Sequence, residues 1–390
     1  MAAVMNFSQR TGWNLAENEL TTQARQRRVA GLPLLDLTVS NPTECGFHYD
    51  TAALLAPLAD PAALRYAPEP FGMAAARETV ALYYRDHGAM VEPRNICLTT
   101  STSEAYSYLF RLLCDPGDEL LAARPSYPLF DFIAQLDDVV LREYPLQYDP
   151  NADAEHGWSL DMRALESAIT PRTRAILVVH PNNPTGNFVS AAERAALQTL
   201  CAERGLALIV DEVFLDYALS ATPPRSFATG DSQCLTFVLS GLSKVCALPQ
   251  MKASWIAATG PVPMLRDALC RLEVIADTFL SMNAPIQSAL PTWLAQRGDI
   301  QRQIHQRVTA NLTTLDARLL GSSAQRLTMQ GGWTAVLRVS RTGDFATAAL
   351  DRGVLVQPGE FYGLPAGRAV LSLLTPPDVW ARGLALLPIE

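Results

Sequence analysis

Between residues 96 and 258, short apolar runs alternate with longer amphipathic stretches. The runs are Ile96–Thr99, Glu119–Ala122, Ala175–Val179, Leu206–Val210, Leu235–Leu239 and Trp255–Ala258. Several are apolar at successive positions, the pattern of parallel strands covered on both faces. Glu104–Leu113 and Ala191–Arg204 instead repeat apolar residues at helical spacing, and Phe71–Asp86 places Met73, Ala76, Val80 and Tyr83 on one face. Ser190 and Glu193 have the spacing of a capping box at the start of the second stretch. This alternation predicts an α/β domain with a mostly parallel, mixed sheet flanked by helices.

Beyond about residue 285 the pattern changes. A long helical repeat (Ile300, Ile304, Val308, Leu312, Leu315) leads into the strand-like runs Thr334–Val339, Val354–Gln357 and Val370–Leu374. At the other end, residues 1–49 read as an arm with one strand, Leu34–Val39, before the turn-rich Ser40-Asn41-Pro42-Thr43. The expected organisation is a large domain over 50–285 and a smaller α+β domain assembled from 1–49 and 286–390.

Composition narrows the function classes. Hydrophobic residues make up 49% of the 390 and charged residues 18%, which supports a large core and excludes a disordered chain. A net charge of −8 argues against nucleic acid or an anionic membrane as the main partner. No apolar run approaches the roughly 18 residues of a membrane span. Met1–Arg10 lacks the apolar core of a secretory signal. Seven scattered cysteines without a C-x-x-C pair read as reduced thiols, so a cytoplasmic location is expected. Five dispersed histidines offer no metal-binding spacing, and no metal is expected.

The unusual polar clusters each follow a strand-like run: Thr100-Ser101-Thr102-Ser103, His180 to Gly186, Asp211-Glu212, and Ser240-Gly241-Leu242-Ser243-Lys244. Ligands of open α/β sheets bind beyond the carboxyl ends of the strands, so the four clusters should converge on one crevice. Ser101 to Ser103 stand where a helix begins, a place that favours an anion such as phosphate. Ser243 adds a hydroxyl and Lys252 a cation. Asp211, at the edge of the core, needs a cationic partner. Lys244 is an amine able to form an imine once its pKa is lowered. Phosphate site, carboxylate and reactive lysine together fit pyridoxal 5′-phosphate. Taken singly, each cluster has a plainer reading: a solvated loop for Ser-x-x-Ser-Lys, a turn or cap for Asp211-Glu212.

Ser240 to Lys244 with Ala247-Leu248-Pro249, Asn182-Asn183-Pro184-Thr185-Gly186 and Asp211-Glu212-Val213, in this order, resemble the motifs of the fold-type I, class I/II aminotransferases, with similarity from about residue 34 to 374. The resemblance implies that Lys244 holds the cofactor as a Schiff base and carries the substrate α-proton. It implies that Asp211 pairs with the pyridine nitrogen, Asn183 contacts the phenolic oxygen, and Thr102, Ser103 and Ser243 bind phosphate. Tyr127 would stack on the ring. Tyr66 resembles the tyrosine that reaches the neighbouring subunit's phosphate, which implies a homodimer with shared sites. Asn41 and Trp333 lie in stretches near the substrate in relatives, although a turn and core packing account for them equally well. The implied substrates are an α-amino acid and a 2-oxo acid.

Three positions depart from the family pattern. Phe214 replaces a tyrosine whose hydroxyl contacts the phenolic oxygen, which should raise the pKa of the lysine–cofactor linkage. Lys252 replaces an arginine at the phosphate and lacks its bidentate fork. Val370 stands where relatives place the arginine that clamps the substrate carboxylate. Arg368, two residues earlier on the same strand face, is the expected substitute. These departures keep open another reaction on the same fold, such as C–S lysis, decarboxylation or ring-forming elimination. A non-catalytic cofactor-binding sensor is a further alternative, although no basic helix-turn-helix precedes residue 34.

Overall fold

The computed structural model describes residues 5–153, 157–220, 225–229, 232–280, 282–339 and 345–389. Its central sheet has eight strands: β1 (Ile96–Thr99), β2 (Glu119–Arg124), β3 (Val140–Tyr148), β4 (Trp158–Leu160), β5 (Thr173–Val179), β6 (Ala207–Asp211), β7 (Thr236–Gly241) and β8 (Ser254–Thr259). Their spatial order is β1-β8-β7-β6-β5-β2-β3-β4. From β7 to β3 the neighbours are parallel. β8 is antiparallel to both β1 and β7, and β4 is antiparallel to β3. Two reversals at β8 leave β1 pointing the same way as β7. The carboxyl ends of β1, β5, β6 and β7 therefore share one edge of the sheet.

Helices cover both faces, so β6 and β7 are buried at every position. Val178, Val210 and Val238 pack with Val80, Tyr83 and Trp293 on one face. Leu177, Ile209 and Phe237 pack with Tyr106, Tyr108 and Phe110 on the other. The helix Ala191–Arg204 opens with the expected capping box between Ser190 and Glu193.

A second, antiparallel sheet contains β9 (Gln325–Arg326), β10 (Thr334–Arg338), β11 (Gln357–Pro358) and β12 (Arg368–Ser372) in the order β9-β10-β12-β11. The N-terminal arm joins it. Leu35 and Asp36 pair in parallel with Val354 and Leu355, and the Ser372 N–H donates to the Leu37 carbonyl at 2.7 Å. One helix, Ala284–Leu319, serves both cores. Leu290, Trp293 and Leu294 pack beneath the large sheet, whereas Ile300, Ile304, Val308 and Leu315 pack in the small domain. No helix among the described residues is long and apolar enough to cross a membrane.

Candidate active site

A cavity of about 320 Å³ opens where the carboxyl ends of β1, β5, β6 and β7 face the small domain. The turns after these strands bring Thr102, Asn183, Asp211, Ser243 and Lys244 to one wall. Trp333, Thr334, Gln357, Val370 and Ser372 come from the small domain, and Thr38 and Ser40 from the arm. Tyr127 and Tyr362 also line it. The four strand-end clusters thus meet at one crevice, where the sheet geometry requires them.

Asp211 is buried at the end of β6. Tyr106 Oη donates to its Oδ2 at 2.7 Å and the Val213 N–H to its Oδ1 at 3.0 Å. Burial raises its pKa, and these two bonds and the charge of Lys244 oppose the rise. Tyr106 escapes a reading of the sequence because its role arises only when the helix Thr102–Leu113 packs across β6; its position four residues after Thr102, on the same helix face, is the available signal.

Lys244 lies in a short helical turn, Leu242–Val245, directly after β7. Its Nζ is 4.8 Å from the Trp333 ring centroid and 5.4 Å from that of Phe214. The two rings meet edge to face at 88°, 4.9 Å apart. Burial lowers the Lys244 pKa to about 8, against the opposing pull of Asp211. Tyr217 fixes the turn by donating its hydroxyl to the Lys244 carbonyl at 2.7 Å. That hydroxyl is therefore committed to the main chain and does not replace the one Phe214 lacks. Asn183 has a buried Oδ1 without a hydrogen-bond partner among the described residues. Tyr127 is 38% exposed and packs edge to face on Phe130.

Other expected site residues lie elsewhere. Ser103 is exposed and is not part of the cavity lining; Ser101 caps its helix by accepting the Glu104 N–H at 3.1 Å. Lys252 is exposed, with φ +52°, and also stands outside the lining. Asn41 makes a turn, its Oδ1 accepting from the Thr43 N–H and hydroxyl. Tyr66 is 79% exposed and borders a separate cavity of about 400 Å³ with Leu64, Leu280 and Asn283. Arg368 starts β12 one ladder row away from Val370, directly opposite Arg338, and its Nη1 donates to the Gly367 carbonyl at 3.0 Å. It does not line the cavity. Trp333 is buried and also lines the cavity, so it packs the core and faces the site at once.

Known proteins place this geometry in a family. The chain is 27% identical over 274 residues to glutamate-pyruvate aminotransferase AlaA of Escherichia coli K12, which covers 70% of this chain and 66% of AlaA. It is 29% identical over 282 residues to an alanine aminotransferase of Mycobacterium bovis, covering 71% and 64%. Each match thus spans just under two thirds of the relative. Among solved structures, an alanine aminotransferase from Pyrococcus furiosus superposes with a TM-score of 0.86 at 21% identity over 98% of both chains. An aminotransferase from Escherichia coli superposes with a TM-score of 0.85 at 22% identity, over 98% of this chain and 97% of that one. Both share the fold. The family model described as aminotransferase class I and II matches residues 35–379, and the chain belongs to that family.

Proposed function

We propose that the protein moves an amino group between an α-amino acid and a 2-oxo acid, with Lys244 as its catalytic base. The family's cofactor is pyridoxal 5′-phosphate, and the residues present fit it. Asp211 is a buried carboxylate without a salt bridge to lysine or arginine among the described residues, and Asn183 holds an unpartnered buried oxygen. Both are groups that a cationic ring nitrogen and a polar ring substituent would satisfy. Asp211 and Asn183 would hold the ring, Tyr127 would flank it, and Thr102 and Ser243 would bind its phosphate.

Bound there, the cofactor supplies an electrophilic carbon and a ring that takes up the electron pair left by a departing α-proton. The chain supplies position and proton transfer. Asp211, fixed by Tyr106 and the Val213 N–H, keeps a negative charge at the base of the cavity. Lys244 accepts the α-proton at Nζ and returns it. The aromatic walls of Phe214 and Trp333 exclude water around that nitrogen. One observation carries this reading: an amine with a burial-lowered pKa shares a cavity with a buried carboxylate.

The glutamate-pyruvate and alanine aminotransferases among its relatives favour transamination over the other reactions of the fold, and make alanine, glutamate and pyruvate the first substrates to test. The holoenzyme mixed with L-glutamate and pyruvate should form L-alanine, and Lys244→Ala should form none. If no amino donor converts the cofactor to its pyridoxamine form, the proposal is wrong.

Two further parts of the reading concern assembly and location. The strongly exposed Leu64, Tyr66 and Leu280 around the second cavity support a homodimer, with Tyr66 reaching towards the partner's site. The cysteines, all unpaired, support a reducing, cytoplasmic location.

A further inference from the structure

Lys244 and Asp211 are the amine and the carboxylate that line the cavity; no arginine, histidine or second lysine lines it among the described residues. Yet both proposed substrates carry a carboxylate, and an enclosed carboxylate needs hydrogen-bond donors. The antiparallel ladder shows where a donor stands. Val336, Val370 and Gln357 form one row across β10, β12 and β11. Directly opposite residues in such a ladder project to the same face. Val370 and Gln357 both line the cavity.

The Gln357 carboxamide is held in one orientation. Tyr362 Oη donates to its Oε1 at 2.6 Å. Burial pushes the Tyr362 hydroxyl up to about 12, so this donor persists across the working pH range. With the carbonyl side committed, the amide –NH₂ has no partner among the described residues and offers two N–H donors. The hydroxyls of Thr38 and Thr334 are already donated, to Asp36 Oδ1 and to the Pro184 carbonyl.

We propose that Gln357, oriented by Tyr362, is the specificity-determining residue that receives the substrate's carboxylate, and that it accepts a carboxamide in the same place. The proposal rests on the Lys244 cavity being the substrate site. A neutral amide still gains from the carboxylate's charge through its hydrogen bonds, but it brings no opposite charge to offset the cost of removing that carboxylate from water. A carboxamide costs far less to desolvate, so the preference for an acid over its amide narrows to within about tenfold. Val370, its ladder partner, adds only an apolar surface.

Unreactive probes separate this proposal from the catalytic one. Dissociation constants of propionate and propionamide for the holoenzyme are measured by NMR titration, with cofactor absorbance and circular dichroism as checks on loading and folding. The wild-type values should lie within tenfold of each other. Gln357→Leu should weaken both probes at least fivefold. Gln357→Glu should weaken propionate at least tenfold by removing the donors and adding like charge. Val370→Arg placed on the Gln357→Leu background should restore propionate and leave propionamide weak. A wild-type preference for propionate above tenfold, or unchanged binding in Gln357→Glu, would overturn the proposal. So would loss of propionate binding in Arg368→Ala with none in Gln357→Leu. Absence of transamination would sink the functional proposal and leave these binding results intact.

Discussion

Lys244 provides the sharpest test of the site's electrostatics. Its pKa falls from the ordinary 10.5 to about 8 because burial removes water from the ammonium. At pH 7 an ordinary lysine is roughly 0.03% neutral, whereas one titrating near 8 is roughly 9% neutral, about 300-fold more nucleophile. The cofactor-free protein should therefore capture pyridoxal phosphate at a rate that rises with pH and levels off above about 8. Stopped-flow absorbance at constant ionic strength measures this. Asp211 is the group that opposes the lowering, so Asp211→Asn should move the midpoint to lower pH. The sign for stability follows from the same shift. Between about 8 and 10.5 Lys244 is less protonated in the native state than in the unfolded chain, so its own contribution to the stability of the cofactor-free protein grows as pH rises, by about 3 kcal/mol over the window. A capture midpoint near 10, or one that Asp211→Asn leaves in place, would refute the argument.

Two other predictions follow from neighbouring groups. Glu212 is fully buried, accepts from Ser226 Oγ and the Phe227 N–H at 2.6 Å each, and is pushed up to about 7 by burial. Its raised folded pKa contributes stability below about 4.5 that is lost as pH rises through 7; Glu212→Gln should flatten this loss and be about 3 kcal/mol more stable than wild type at pH 8, relative to pH 4, by urea denaturation. Phe214→Tyr places a hydroxyl in the aromatic wall beside Lys244 and should lower the midpoint of the pH titration of the bound cofactor's visible absorbance by about a unit; an unmoved midpoint would show that residue 214 does not reach the cofactor's phenolic oxygen.

The parts of the fold that bury apolar residues on both sides were legible, because burial writes itself into the sequence. β1 coincides with the expected Ile96–Thr99, and the ends of β5, β6 and β7 fall within two residues of expectation. β3 was not legible. Val140–Tyr148 is largely exposed in its first half, contains Arg142, Glu143 and Pro145, and lies next to the sheet's edge. The helix Glu19–Val29 buries only Ala24 and shows no apolar stripe. Within the site, Lys244, Asp211 and Asn183 were visible because a short motif after a strand fixes their place relative to the sheet edge. Gln357 was not, since its position depends on which residue lies across the ladder from Val370. Sequence separation gives no register between strands joined by a loop and a helical turn.

Arg368 shows the same distinction from the other side. Strand periodicity correctly puts it on the face of Val370, but each step along that face advances by about 6.6 Å, one full ladder row. In that row Arg368 is paired with Arg338, so two arginines occupy directly opposite positions. Burial and the charge of Arg338 both lower the Arg368 pKa. Like charges in directly opposite positions repel. A substrate carboxylate would relieve this repulsion only by sitting between the two side chains, a row beyond the cavity that contains Lys244. The cavity that contains Lys244 is lined instead by the row of Val370. In that row, the free amide donor belongs to Gln357.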